Sequence, residues 1–194
     1  MQKLGFLILM LAMAILLGGT ALAQGDNSFY FVTYFSNANT ANAPDATVRA
    51  VNDGDFAGGN LYASIYVFDD SEELTECCSC LITPDGLLSE SVNKNLTANP
   101  LTGIKPTRGV IKIISSSEYT GAPGFNPNIL NPGIRAWATH IQKSNATWAV
   151  TETPLADSNL AANGTELGLL QELCYFDYLL SGKPCICTME DQDF

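Results

Sequence analysis

The chain has 194 residues, with 20 Asp and Glu against 9 Lys and Arg and a formal net charge of −11. That sign balance repels phosphate, so nucleic acid and anionic membrane are not expected partners. Charged residues make up only 15% of the chain and hydrophobic ones 46%, a composition of folded domains and not of disordered acidic tails.

Residues 1–23 read as an export signal. Lys3 supplies a short positive start, residues 6–17 are an unbroken apolar run, and Ala21-Leu22-Ala23 offers the small residues signal peptidase requires. The run stops at Gly18-Gly19-Thr20, short of the roughly twenty apolar residues a spanning helix needs, so no membrane insertion is expected once the signal is cut. Cleavage before Gln24 leaves 171 residues, a length suited to one domain spanning 24–194. The signal carries one Lys and no acid, so 8 basic side chains then face 20 acidic ones and the charge becomes −12.

The mature chain is patterned mostly for strands. Residues 28–35 are aromatic and β-branched on both faces, 46–51 alternate, and 61–68 carry Tyr62, Tyr66 and Phe68. Asn52-Asp53-Gly54-Asp55 and Gly58-Gly59-Asn60 mark a loop, Thr83-Pro84-Asp85-Gly86 a β-turn, and Asn99-Pro100 another irregular stretch. Further strands are predicted over 87–92, 108–115, 134–141 and 147–153. Residues 121–133 hold three prolines and three glycines and read as a long loop. The expected fold is mainly β: an Ig-like or related β-sandwich of about seven strands with one C-terminal α-helix.

That helix should begin with Thr165 as N-cap and Glu166 in the first turn, and end at Gly182 before Pro184. Leu169, Leu170, Leu173, Phe176 and Leu180 recur at three- and four-residue steps and predict its buried face. Cys174 lies on or beside that stripe, so it should point at protein. A shorter helical turn is expected near Ser158.

Six cysteines form two clusters, Cys77, Cys78 and Cys80 against Cys174, Cys185 and Cys187. Adjacent Cα atoms sit about 3.8 Å apart, below the usual disulfide span of about 4.4–6.8 Å, which disfavours a Cys77–Cys78 bond. Pairing between clusters is the natural alternative, and sequence leaves six such schemes open. Each would tie the loop after the 61–68 strand to the helix and tail, and an oxidising compartment favours structural disulfides over metal thiolates. The competing reading is capture of copper or zinc, or thiol–disulfide exchange. Cys77 and Cys80 have a Cys-x-x-Cys spacing, but Cys185-Ile186-Cys187 is too tight to match it.

Two weaker metal and catalytic patterns are present. Asp53, Asp55, Asp69 and Asp70 offer hard oxygens for calcium, but an EF-hand reading from Asp53 meets Ala57 at the fifth position and Ser64 at the twelfth, so no metal is assigned. Glu72 and Glu73 with Asp69 and Asp70 read as a solvated loop in preference to a glycosidase pair. His140 is the only histidine and sits in an alternating strand. There is no nucleophile elbow, no His-Glu-x-x-His and no phosphate-binding glycine loop, so neither enzyme activity nor a cofactor is assigned.

Leu61-Tyr62-Ala63-Ser64-Ile65-Tyr66-Val67-Phe68-Asp69, Glu76-Cys77-Cys78-Ser79-Cys80, Thr83-Pro84-Asp85-Gly86-Leu87, Arg135-Ala136-Trp137 and Val150-Thr151-Glu152-Thr153 together resemble a group of small secreted proteins encoded by soil bacteria. The resemblance covers most of the mature chain, and the Cys-Cys-Ser-Cys block is its most distinctive part. It implies export, extracellular or periplasmic, and a shared cysteine framework; it implies no activity. In a bacterial host the sequons at Asn95, Asn145 and Asn163 are chance features.

Two functional classes follow. The first is a non-catalytic structural, adhesive or interaction module of the cell envelope or extracellular space, with a protein or surface partner of unspecified identity. Phe29, Tyr30, Phe31, Tyr34 and Phe35 make the first strand sticky on both faces, so it is either buried within the domain, the expected outcome, or donated to a second copy in self-assembly. The second class is the thiol or metal function of the cysteine clusters.

Overall fold

The computed structural model describes residues 28–54, 59–120, 126–157, 164–182 and 187. The expected signal (1–23), Asp55, the helical turn near Ser158, the Asn163 sequon and Cys185 lie outside the described residues. Among the described residues, ten strands form two antiparallel sheets, and one α-helix follows them near the C-terminus. The strands are β1 (Tyr30–Phe35), β2 (Thr47–Asn52), β3 (Leu61–Asp69), β4 (Leu74–Ile82), β5 (Leu87–Ser91), β6 (Gly109–Thr120), β7 (Asn126–Leu130), β8 (Ile134–Ser144), β9 (Thr147–Pro154) and β10 (Ala156–Asp157). The helix, α1, spans Thr165–Ser181.

One sheet has the order β10-β1-β6-β3-β4, with β7 paired to the far half of β6; the other has the order β5-β2-β8-β9. Period-two alternation aims one set of side chains from each sheet into a shared core. Phe31, Phe35, Ile65, Val67, Ile111 and Ile113 meet Val48, Leu88, Ile134, Ala138 and Ile141 there. The intervening residues of the larger sheet, Tyr30, Tyr66, Cys77 and Ile114, face outward and are buried with Leu170 and Cys174 of α1. That sheet is therefore covered on its core face and, under α1, on its outward face, which explains why β1 is aromatic and β-branched on both faces.

A sandwich with a C-terminal helix is the architecture expected, but the strand count is higher and three local readings change. The Cys77–Cys80 segment is strand β4, paired along β3 with Tyr66 opposite Cys77 and Ala63 opposite Cys80; only residues 70–73 form the turn before it. Within 121–133, residues 126–130 form β7. Pro127 is tolerated there because, among the described residues, β7 pairs only with β6 and is an edge strand. Thr165 is the first helical residue, and the cap position is Gly164 at φ 69° with no side-chain cap bond. The Thr83–Gly86 turn closes as expected, with Gly86 N–H donating to the Thr83 carbonyl at 2.8 Å.

Gly109 shows how tightly β6 is inserted. A Cβ there would lie 1.9 Å from the Phe68 carbonyl oxygen and 2.8 Å from the Phe35 ring, so any side chain forces β3 and β6 apart. Gly109→Ala is expected to cost about 1–3 kcal/mol of unfolding free energy. Urea unfolding of the two chains side by side checks this; an unchanged midpoint would show that the strands part without penalty.

Candidate functional site

Strand alternation sorts the first cysteine cluster by face. Cys78 and Cys80 point into the core between the sheets, while Cys77 points outward at α1. The Cys77–Cys174 disulfide therefore joins β4 to the middle of α1, with 5.8 Å between Cα atoms, across 97 residues of sequence. Cys80–Cys187 joins the same strand to the tail from its other face, across 107 residues and with 5.5 Å between Cα atoms. Cys78 is also disulfide-bonded. Two of the between-cluster pairings expected from sequence are thus identified. The Sγ atoms of Cys78, Cys80 and Cys187 all lie within 4.8 Å of one another.

The disulfide decides which face of α1 is buried. Leu170, Cys174 and Asp177 form the sheet-facing stripe, with Leu167 and Tyr178 packed beside it. Of the apolar face predicted from sequence, only Leu170 is fully buried; Leu169, Phe176 and Leu180 are exposed, together with Tyr175 and Leu179. The anchor at Cys174 rotates the helix so that a carboxylate enters the interface and three large apolar side chains leave it.

Two buried carboxyls lie close in sequence to the Cys77–Cys174 bond. Glu76, next to Cys77, is 1% exposed, and Asp177, one turn beyond Cys174, is 5% exposed. Glu76 Oε1 and Asp177 Oδ1 each lack a hydrogen-bond partner. A carboxylate removed from water without compensation is costly to ionise. Burial pushes the Glu76 carboxyl up to about 8; the Asp177 charge adds to the rise and the Cys77 backbone N–H opposes it. Burial pushes Asp177 up to about 6. A sequence signal for both existed: Glu76 interrupts a run of buried strand residues, and Asp177 falls seven positions after Leu170 on one helix face.

Near the start of α1, the Tyr30 hydroxyl donates to Glu166 Oε1 at 3.4 Å, and Glu166 also pairs with Lys112. Burial, reinforced by the Glu166 charge and hydrogen bond, pushes the Tyr30 hydroxyl up to about 12. Lys112 lies 5.0 Å from the Phe68 ring centroid. These contacts fasten the N-terminal turn of the helix to β1 and β6.

The remaining sequence candidates are dispersed. Asp53 pairs with Arg135 at 3.2 Å, Asp69 accepts from the Ser71 and Glu73 backbone N–H groups at 2.8 and 3.1 Å, and Asp70 pairs with Arg108 at 2.6 Å. Among the described residues, which do not include Asp55, the one group of three metal-ligand side chains is the sulfur trio. Of the four acids at 69–73, Asp69 ends β3 and Asp70, Glu72 and Glu73 lie in the β3–β4 turn. In β1, Phe31 and Phe35 are core residues, Tyr30 lies under α1, and Phe29 packs beside it. Tyr34 is half-exposed and stacks on His140 with 4.2 Å between ring centroids. β1 pairs with β6 along its whole length and with β10 at Phe31 and Val32. His140 is buried, its Nε2 lies 2.9 Å from Thr153 Oγ1, and desolvation lowers its pKa.

No protein-family model matches the chain, and no curated protein matches it. Among solved structures, the crystal structure of Thermotoga maritima 1070 is similar at 13% identity and a TM-score of 0.43, over 70% of this chain and 97% of that one. A likeness at that level is silent on function.

Removing the helix anchor tests its energetic role. The Cys77→Ala/Cys174→Ala double variant is expected to lose about 2–5 kcal/mol of stability, because a 97-residue loop is released in the unfolded chain. Denaturant unfolding under non-reducing conditions measures it; a loss below about 1 kcal/mol would mean that α1 is held by packing alone.

Proposed function

We propose that this is a secreted, non-catalytic structural, adhesive or interaction module that works outside the cytosol, in the periplasm or the extracellular space. The observation that carries the reading is the pair of disulfides binding one strand, β4, to the helix and tail on opposite faces. Such bonds persist where thiols are oxidised, which agrees with the export signal expected over residues 1–23. Among the described residues no helix is long and apolar enough to cross a membrane. The exposed Leu169, Tyr175, Phe176, Leu179 and Leu180 of α1 give the module a contact surface for a protein or another apolar surface.

A second reading has one observation in its favour, the gathering of Cys78, Cys80 and Cys187 sulfur atoms. After reduction by a dithiol, three thiolates at that spacing would suit copper(I) better than zinc, which prefers four ligands.

One measurement separates the two. Protein recovered anaerobically from its native compartment is expected to show no titratable thiol after denaturation, and an intact mass six hydrogens below the fully reduced chain, one for each cysteine. Free thiols or a stoichiometric soft metal would defeat the scaffold reading and support the thiolate one.

A further inference from the structure

Five large apolar side chains of α1, Leu169, Tyr175, Phe176, Leu179 and Leu180, are each 47–69% exposed. They lie on the side of the helix away from the stripe of Leu170, Cys174 and Asp177 that meets the sheet. Apolar residues therefore surround the helix, the pattern of a helix covered on every side, yet in the single chain one side is bare. At roughly 100 Å² for each half-exposed large side chain, the bare patch is on the order of 500 Å², toward the upper end of what a monomer leaves uncovered. Four of the five form two neighbouring ridges of the i, i+4 kind, Tyr175–Leu179 and Phe176–Leu180.

We propose that this face of α1 is a homotypic contact, through which two copies of the chain pair back to back with the ridges of each helix seated in the groove of the other. The inference rests on the interaction-module reading and names the partner. When i, i+4 ridges pack into i, i+4 grooves, both helices present the same surface and cross near −50°, so one patch can meet itself across a two-fold axis. The sheet of each copy then lies on the outer side of the helix pair and does not obstruct it. Two such patches bury about 1,000 Å², the size at which a specific contact between proteins becomes stable.

The acids of α1 stay outside the contact. Glu166 is ion-paired with Lys112, Asp177 belongs to the sheet-facing stripe, and Glu172 is exposed one turn before Phe176, at the margin of the crossing. Other occupants fit this face less well. Residues 165–181 contain no Lys or Arg, the side chains with which an interfacial helix grips a lipid surface. The chain's own end, residues 188–194, carries three acids and only two large apolar side chains, Met189 and Phe194, too few to cover five.

Sedimentation velocity of the chain recovered after export, its oxidation state verified by intact mass, tests the contact over about 1–200 µM. Monomer is expected to give way to dimer with a Kd in the micromolar range, as suits an interface of about 1,000 Å². Phe176→Glu and Leu180→Glu should each weaken the association about tenfold or more, because each buries an unpaired charge. Ile104→Glu, at an exposed apolar residue far from α1 in sequence, should leave it unchanged. A monomer across the whole range would overturn the proposal, as would a dimer that persists in both α1 variants or that Ile104→Glu weakens equally. A monomer that binds neutral phosphatidylcholine vesicles would overturn it in favour of a lipid surface. Should the α1 variants fail to fold, amide NMR shifts of the parent chain across the same concentrations decide: changes confined to residues 168–181 support the contact, and changes centred elsewhere, or none, overturn it. A fully oxidised monomer would remove the homotypic contact and leave the scaffold reading standing, whereas free thiols in the mass measurement count against that reading alone.

Discussion

The architecture at the C-terminal end depends on the two-residue pleat of β4. Because successive side chains leave a strand on opposite faces, Cys77 reaches outward to α1 while Cys78 and Cys80 reach the core. One short segment can thus be bonded on both sides at once. A single-residue slip of β4 against β3 would exchange the two faces, sending Cys77 into the core and Cys80 toward solvent. The disulfides therefore fix the register of the strand as well as the position of the helix.

β4 is also the outermost strand of its sheet. Strands in that position carry unpaired backbone groups and invite pairing with other chains unless something obstructs them. Here the helix lies against one face and the Cys187 end of the tail is bonded to the other. The opposite side of the same sheet is treated differently: β10, only two residues long, closes it, and so short an edge offers little template.

Much of the fold was legible. The strand-like segments 28–35, 46–51, 61–68, 87–92, 108–115, 134–141 and 147–153 each correspond to a strand, and the 165–181 helix lies where its spacing and terminal glycine put it. Two kinds of element were hidden. β4 and β7 read as loops because acids, cysteines and prolines dominate them, although their backbones needed only a neighbour with free N–H and C=O groups, supplied by β3 and β6. The buried side of α1 was misread because hydrophobic periodicity assumes that burial follows apolarity, whereas a bond at Cys174 imposes orientation directly. For the seam, the sulfur positions were visible as clusters. The buried carboxyls near them in sequence were marked only by position, Glu76 within what the structure shows to be a strand and Asp177 seven residues after Leu170.

The long covalent ring has a further effect on durability. Cys77 and Cys174 enclose the loop around Leu101 and Ile104, both of which are exposed. An extracellular protease that severed the backbone there would create two polypeptides, yet neither could diffuse away, because the sulfur bridge still connects them. Damage of that kind leaves the strands on both sides of the break in place, and the molecule tolerates a cut that would dismantle an uncrosslinked sandwich.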